Sequence, residues 1–278
     1  MDQRFSKEPS LTHTSIAQPV TEIAPMLGSV KDGRWIPGGT AVIVAPHIAM
    51  TAQHVIDADW RGHERRALPE GNKVVASYSM VAIQMFDGGA KAAWWDVQKI
   101  WWSNHADIAF LLLAPGNQVA RQHHWRKASL NLLPLSVGAR MSAFGYRRNS
   151  VELYEQSVKW RTDPVTAVGE VTQVISAKGE MTYVTNARFE NGMSGGPVMS
   201  DEGELVGIVR STGNGYARVT AVWSGMDTMI DVQRKHRETG YYSVLDLAKD
   251  GYMHARHWER IEIERNEGVG TTRMRMRV

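Results

Sequence analysis

The 278-residue chain is 43% hydrophobic and 22% charged, which excludes a disordered, coiled-coil or collagen-like chain and allows one large domain or two small ones. Lys and Arg exceed Asp and Glu by only 32 to 29, a net +3 that by itself argues for neither nucleic acid nor a membrane surface as partner. The absence of cysteine excludes disulfides, thiolate metal sites and a cysteine nucleophile, and makes the reducing cytoplasm the expected setting.

Residues 1–19 are polar and read as a flexible tail. No apolar stretch of about 7–15 residues opens the chain, so no secretory signal is expected, and no run of about 18 apolar residues suggests a membrane helix. From residue 20 to 115 the apolar runs GGTAVIVAP, KVVASYSMVAIQMF and DIAFLLL are short and separated by Gly, Pro, Asn and Asp, which reads as strands. Residues 116–136 are polar and read as a linker. A second strand set follows over 137–237: GARMSAFGY, VELYEQSVKW, VTAVGEVTQVI, EMTYVTN, ELVGIVRS and YARVTAVW. Strands do not alternate with helices, so a parallel α/β sheet is disfavoured and two consecutive all-β halves, each a closed barrel, are expected.

After Trp223 the period changes. Met226, Met229, Ile230 and Val232 fit one side of a helix whose last turns would carry Arg234, Lys235 and Arg237, complementing the helix dipole. Residues 238–278 form an extension. A second helix is expected over 243–258, interrupted by Gly251, and then a hairpin. In the hairpin Ile261 and Ile263 alternate with Arg260, Glu262 and Glu264, and Met274, Met276 and Val278 alternate with Arg273, Arg275 and Arg277. Pairing across Gly268–Gly270 puts apolar against apolar on one face and Glu near Arg on the other.

Three segments carry chemistry in chain order: Thr51-Ala52-Gln53-His54-Val55, Ala106-Asp107-Ile108-Ala109, and Gly192-Met193-Ser194-Gly195-Gly196-Pro197-Val198. A serine hydroxyl needs a base to take its proton, neutral imidazole has suitable basicity, and a carboxylate on the other ring nitrogen fixes the tautomer. Attack on a carbonyl creates an oxyanion that backbone N–H groups can hold, and Gly192 permits the close backbone approach this requires. Taken singly, each segment has an ordinary explanation: a core or loop histidine, a turn aspartate, a Ser-Gly-Gly-Pro turn. Together, in order and at strand edges, they point to a nucleophilic triad of His54, Asp107 and Ser194.

In combination the segments resemble those of chymotrypsin-like (trypsin-like) serine proteases, of a bacterial type without disulfides. TAQHV looks like the family's Thr-Ala-Ala-His, ADIAFLLL like its Asp-Ile-Ala-Leu, and GMSGGPV with ELVGIV like its Gly-Asp-Ser-Gly-Gly-Pro and following strand. The resemblance covers roughly residues 20–237 and implies a chymotrypsin-like double β-barrel with a C-terminal helix. It implies endopeptidase activity through an acyl-enzyme, with His54 as base then acid, Asp107 as orienter, Ser194 as nucleophile, and Gly192 and Ser194 as oxyanion donors. A protein or peptide is the expected substrate, with no cofactor and no metal. Met193 stands where many secreted members carry Asp, so the ion pair formed on zymogen cleavage cannot form here. Met193 is then either a neutral packing residue, or the loop awaits an activating protein partner. Stress or defence is the implied context.

The resemblance also places the substrate-pairing edge at Ser211-Thr212-Gly213 and the specificity pocket beside Arg188 and Arg210, which would favour an acidic substrate side chain. Asn214-Gly215 suits a tight hairpin turn and leaves the pocket open or shallow. His254 and His257 lack a third ligand nearby, and Trp94, Trp95, Trp101 and Trp102 read as core or rim. Two other classes of function stay open at this stage: a catalytically silent protein-binding barrel, and an assembly protein docking through its tryptophans and C-terminal hairpin.

Overall fold

The computed structural model describes residues 9–14, 19–31, 34–60, 73–75, 80–153, 158–177, 179–213, 216–232, 240–266 and 271–276. Strand β1 (Ser10–His13) and helix α1 (Pro19–Ile23) precede a first group: β2 (Met26–Lys31), β3 (Arg34–Thr40), β4 (Val42–Ala45), β5 (Ile48–Thr51), helix α2 (Gln53–Trp60), β6 (Lys73–Val75), β7 (Met80–Phe86), β8 (Lys91–Trp102) and β9 (Ala109–Pro115). Antiparallel pairing runs β3–β2–β7–β8–β9–β5–β4, a half-barrel sheet whose two end strands, β3 and β4, follow one another in the chain across Ala41.

The core of this barrel follows from its strands. Every residue of β4, β5 and β7 is buried, which is why these segments read as unbroken apolar runs rather than alternating ones. The polar member of β7, Gln84, is satisfied: its Oε1 accepts from Trp95 Nε1 at 2.9 Å and its amide donates to the Glu22 carbonyl. In β8 the register against β9 shifts between Val97 and Lys99. That bulge shifts the inward-facing parity from Ala93, Trp95 and Val97 to Ile100, while Trp101, on the opposite face, is buried where its Nε1 donates to Asp231.

Helix α3 (Gln118–Gln122) and the two-residue β10 (Leu130–Asn131) occupy the expected linker, and Trp125 from it packs on Trp95 with ring centroids 4.2 Å apart. The second group is β11 (Arg140–Leu153), β12 (Val158–Ala177), β13 (Glu180–Thr185), β14 (Pro197–Ser200), β15 (Leu205–Gly213) and β16 (Tyr216–Ala221). Its pairing order β11–β12–β13–β16–β15–β14 returns to β11, a closed six-strand ring. The architecture is the all-β, chymotrypsin-like double barrel expected from the sequence.

Two segments differ from the sequence reading. Ser10–His13 is not a loose tail: it pairs antiparallel with β12, Ser10 opposite Val168, and His13 lies 2.8 Å from Asp163. Backbone pairing at an open strand edge needs no apolar pattern, which is why a polar segment can join the sheet. Among the described residues the helix expected from Met226 does not form. A 3₁₀ turn at Val222–Gly225 is followed by β17 (Met229–Val232), paired with β18 (Gly240–Ser243). The physical reason is Asp231, whose carboxylate accepts from Trp101 Nε1 and Lys99 Nζ, both at 2.8 Å, tying the segment to β8. Arg234, Lys235 and Arg237 lie outside the described residues, as do Asn214-Gly215 and Gly268–Gly270.

Helix α4 (Val244–Lys249) begins at a capping box made by Ser243 and Asp246 and stops before Gly251, whose φ of 73° is left-handed. Beyond it β19 (Ala255–Arg256) lies parallel to β10, and β20 (Ile261–Asn266) pairs with β21 (Thr271–Met276), Ile261 opposite Met276 and Ile263 opposite Met274. The extension braces both barrels: Tyr252 donates to the Pro46 carbonyl in the first, and Arg256 pairs with Glu204 of the second at 2.8 Å. Among the described residues no helix is long and apolar enough to cross a membrane.

Candidate active site

Strand register brings His54 and Asp107 together. β5 and β9 pair with Thr51 opposite Ala109. Three residues beyond Thr51 the chain has entered the first turn of α2 at His54, and two residues before Ala109 it is still in the bend that holds Asp107. Both side chains therefore stand at the same end of the first barrel. His54 Nδ1 lies 2.8 Å from Asp107 Oδ2, and the His54 backbone N–H donates to Oδ1 at 3.0 Å. The carboxylate thus satisfies an otherwise unpaired donor in the first turn of α2 and fixes the imidazole with Nδ1–H facing it. Asp107 is 12% exposed and His54 41%, so the pair is rooted inside while the ring faces solvent.

The loop from Thr185 to Pro197 brings Ser194 from the second barrel. Gly192 has φ 95°, and a Cβ there would sit 2.1 Å from the Tyr146 carbonyl oxygen. Gly195 has φ 79°, and a Cβ there would meet Thr51 Oγ1 at 2.1 Å. Neither position tolerates a side chain, and the second contact presses the residue after Ser194 onto the strand end that leads to His54. The Gly195 N–H donates to the Val209 carbonyl at 2.8 Å, fixing the loop to β15. Met193 is fully buried; its N–H donates to the Glu190 carbonyl at 3.1 Å and its carbonyl accepts from Gly196 at 2.9 Å. Among the described residues the N–H groups of Gly192 and Ser194 have no acceptor, and no direct hydrogen bond joins His54 Nε2 to Ser194 Oγ. The last contact is commonly long before substrate binds.

Arg210 sits between the barrels. β15 is bulged against β16 between Val209 and Ser211. Bulges re-aim side chains, and Arg210 reaches Glu180 Oε1 at 2.7 Å while its Nε stands 3.6 Å from Asp107 Oδ2. Its charge is thus shared by two carboxylates of the protein itself. Arg188 is exposed in the irregular segment after β13 and forms no ion pair among the described residues. Ser211, Thr212 and Gly213 pair with Arg218, Ala217 and Tyr216, leaving their other strand edge unpaired among the described residues. A cleft of about 510 Å³ opens beside His54, lined by Gln53, Asp57, His105, Glu180 and Arg210.

A second histidine–aspartate pair borders this cleft, and the sequence reading missed it. His105 Nε2 lies 3.2 Å from Asp227 Oδ2, with the ring close over Gly179. The hydrogen bond to Asp227 outweighs the opposing effect of burial and holds the imidazole above its ordinary 6.5. No sequence signal marks the pair, because its members are far apart in the chain and neither lies in a motif. Among the described residues no three His, Cys, Asp or Glu side chains gather as for a metal ion.

Residues 39–208 match the trypsin-like peptidase domain. No curated protein matches the chain. Solved structures with similar folds include the active form of the Rv3671c protease from M. tuberculosis, 16% identical over 80% of this chain and 89% of that one, with a TM-score of 0.46. They also include the apo MamO protease domain from Magnetospirillum magneticum, 16% identical over 73% and 92%, with a TM-score of 0.45. Both likenesses are distant.

Proposed function

From the premise that this chain belongs to the trypsin-like peptidase family, we propose that it is a serine endopeptidase whose working groups are His54, Asp107 and Ser194. The observation that carries the reading is the seating of His54 Nδ1 on Asp107 at 2.8 Å, which commits one ring nitrogen and leaves Nε2 available as a base. Ser194 Oγ attacks the substrate carbonyl carbon while its proton passes to His54 Nε2. The C–N bond then breaks, and the same proton goes to the leaving amine. Water, deprotonated by His54, hydrolyses the acyl-enzyme and returns Ser194. The unpaired N–H groups of Gly192 and Ser194 support the developing oxyanion, a contribution of about 3–4 kcal/mol per donor.

The open edge at Ser211–Gly213 supports an extended substrate chain bound by strand addition. Arg210 is engaged within the protein, so the acidic P1 preference rests on Arg188, and selected protein targets are the proposed substrates. The full burial of Met193 supports a loop held by packing, competent without an activating partner. The test is a fluorophosphonate probe on the purified protein, mapped by mass spectrometry. Labelling at Ser194 that Ser194→Ala and His54→Ala both abolish supports the proposal; labelling only after addition of lysate would support a partner-triggered form, and none in either setting would refute the activity. A P1 substrate scan reads specificity: preferred cleavage after Lys or Arg would sink the acidic pocket.

A further inference from the structure

The loop bearing Ser194 belongs to the second barrel, yet two of its carbonyls are held by one residue of the first. Thr40, fully buried at the end of β3, donates its hydroxyl to the Gly192 carbonyl at 2.8 Å and its backbone N–H to the Ser194 carbonyl at 2.9 Å. These are the carbonyls on either side of Met193. The same hydroxyl accepts from the Tyr146 N–H at 3.4 Å, beside the Tyr146 carbonyl that confines Gly192. Thr40 is itself fixed, because its carbonyl accepts from Thr51 Oγ1 at 2.8 Å, two residues before Gln53 and three before His54.

Fixing a carbonyl fixes the rotation of its peptide plane, since the peptide is planar. With the Gly192 carbonyl turned toward Thr40, rotation about the bond from its Cα to that carbonyl is removed. With the Met193 carbonyl held by Gly196, the N–H of Ser194 is directed the opposite way. We propose that Thr40 is a positioning residue for the oxyanion-binding loop: its hydroxyl and N–H fix the Gly192–Met193 and Ser194–Gly195 peptides, which flank the peptide carrying the Ser194 N–H and adjoin the Gly192 N–H, and so keep both N–H groups aimed outward. This rests on the serine peptidase reading for its effect on rate, though not for its effect on loop geometry. The device couples the barrels: the strand leading to the base also orients the donors that serve the nucleophile. It also supplies a restraint in a loop where Met193 can form no ion pair.

Two measurements on the full chain separate this inference from the reading beneath it. Thr40→Val keeps shape and removes the hydroxyl, and Thr40→Ser keeps the hydroxyl. Hydrogen exchange over residues 188–199 needs no activity. It should quicken in Thr40→Val and stay near wild type in Thr40→Ser, at matched thermal midpoints. In the same variants, fluorophosphonate acylation and kcat should fall about tenfold to a hundredfold in Thr40→Val with KM within about twofold, and Thr40→Ser should recover most of the rate. Unchanged loop exchange in Thr40→Val, or equal loss in both variants, overturns the role of Thr40. A wild-type protein that never labels at Ser194 overturns the peptidase reading instead, while the exchange result still decides for or against the clamp. Should Thr40→Val fail to fold, Thr40→Ala against Thr40→Ser makes the same comparison.

Discussion

His54 with Asp107 and His105 with Asp227 are the same chemical pair bordering the same cleft, yet they are set in opposite ways. In the first the carboxylate takes Nδ1, the ring is 41% exposed, and Nε2 is left over. In the second the carboxylate takes Nε2, the ring is 22% exposed, and Asp227 is 5% exposed. The first arrangement keeps a basic nitrogen available for transfer of a proton; the second uses its nitrogen to hold structure. Which nitrogen meets the carboxylate, and how much solvent reaches the ring, separates a proposed catalytic base from a packing element.

The strongest way to break this comparison is to exchange the consequences of mutation. Asp107→Asn is expected to lower the acylation rate about 10³–10⁴-fold with little loss of stability, as for a base held in the wrong tautomer. Asp227→Asn should leave that rate within about threefold, measured with the same fluorophosphonate probe. Equal rate losses in both would refute the division of roles. Next in size is Arg210→Met, which leaves Glu180 without its cation. A loss of about 1–3 kcal/mol in denaturant unfolding is expected, together with a rate decrease of about tenfold as Asp107 loses a facing charge. Arg210→Lys should recover stability more than rate, because an ammonium cannot span both carboxylates with a guanidinium's geometry.

A smaller effect sharpens the contrast through pH. The imidazole of His105 is held above its ordinary 6.5, with Asp227 as the principal cause and Glu180 adding to it. A raised folded-state value means that the protonated pair contributes fully below about 6.5 and that its contribution fades as pH rises through the raised value. Asp227→Asn should therefore cost about 1–2 kcal/mol near pH 5.5 and clearly less near pH 9. A cost that is flat or grows with pH would show that Asp227 does not act through a protonated His105. Smallest is Arg275→Ala in the terminal hairpin, where the pair with Glu264 is exposed. Less than about 0.5 kcal/mol is expected, with no change in acylation.

Much was legible in the chain because it depends on local pattern. The buried runs of β4, β5 and β7 and the turn residues between strands identify an all-β protein, since a strand buried on both faces leaves a contiguous apolar signature. His54, Asp107 and Ser194 stood out because each lies in a short motif at a strand edge. The terminal hairpin followed from strict alternation on both arms. Tertiary structure decided the rest, mostly through contacts between residues more than a hundred positions apart. Asp231, drawn to Trp101 and Lys99, makes a strand where a helical period was written. β12 turns the polar segment Ser10–His13 into sheet. A one-residue bulge turns Arg210 toward Asp107 and Glu180, although sequence reasoning put it in a substrate pocket. Thr40 shows no motif at all, and its two bonds to the loop exist only once the barrels are packed. Hydrophobic period and turn chemistry are properties of neighbours in the chain and can be read there. The direction of a side chain at a bulge, and the partner of a buried polar group, are fixed by what the folded chain brings beside them.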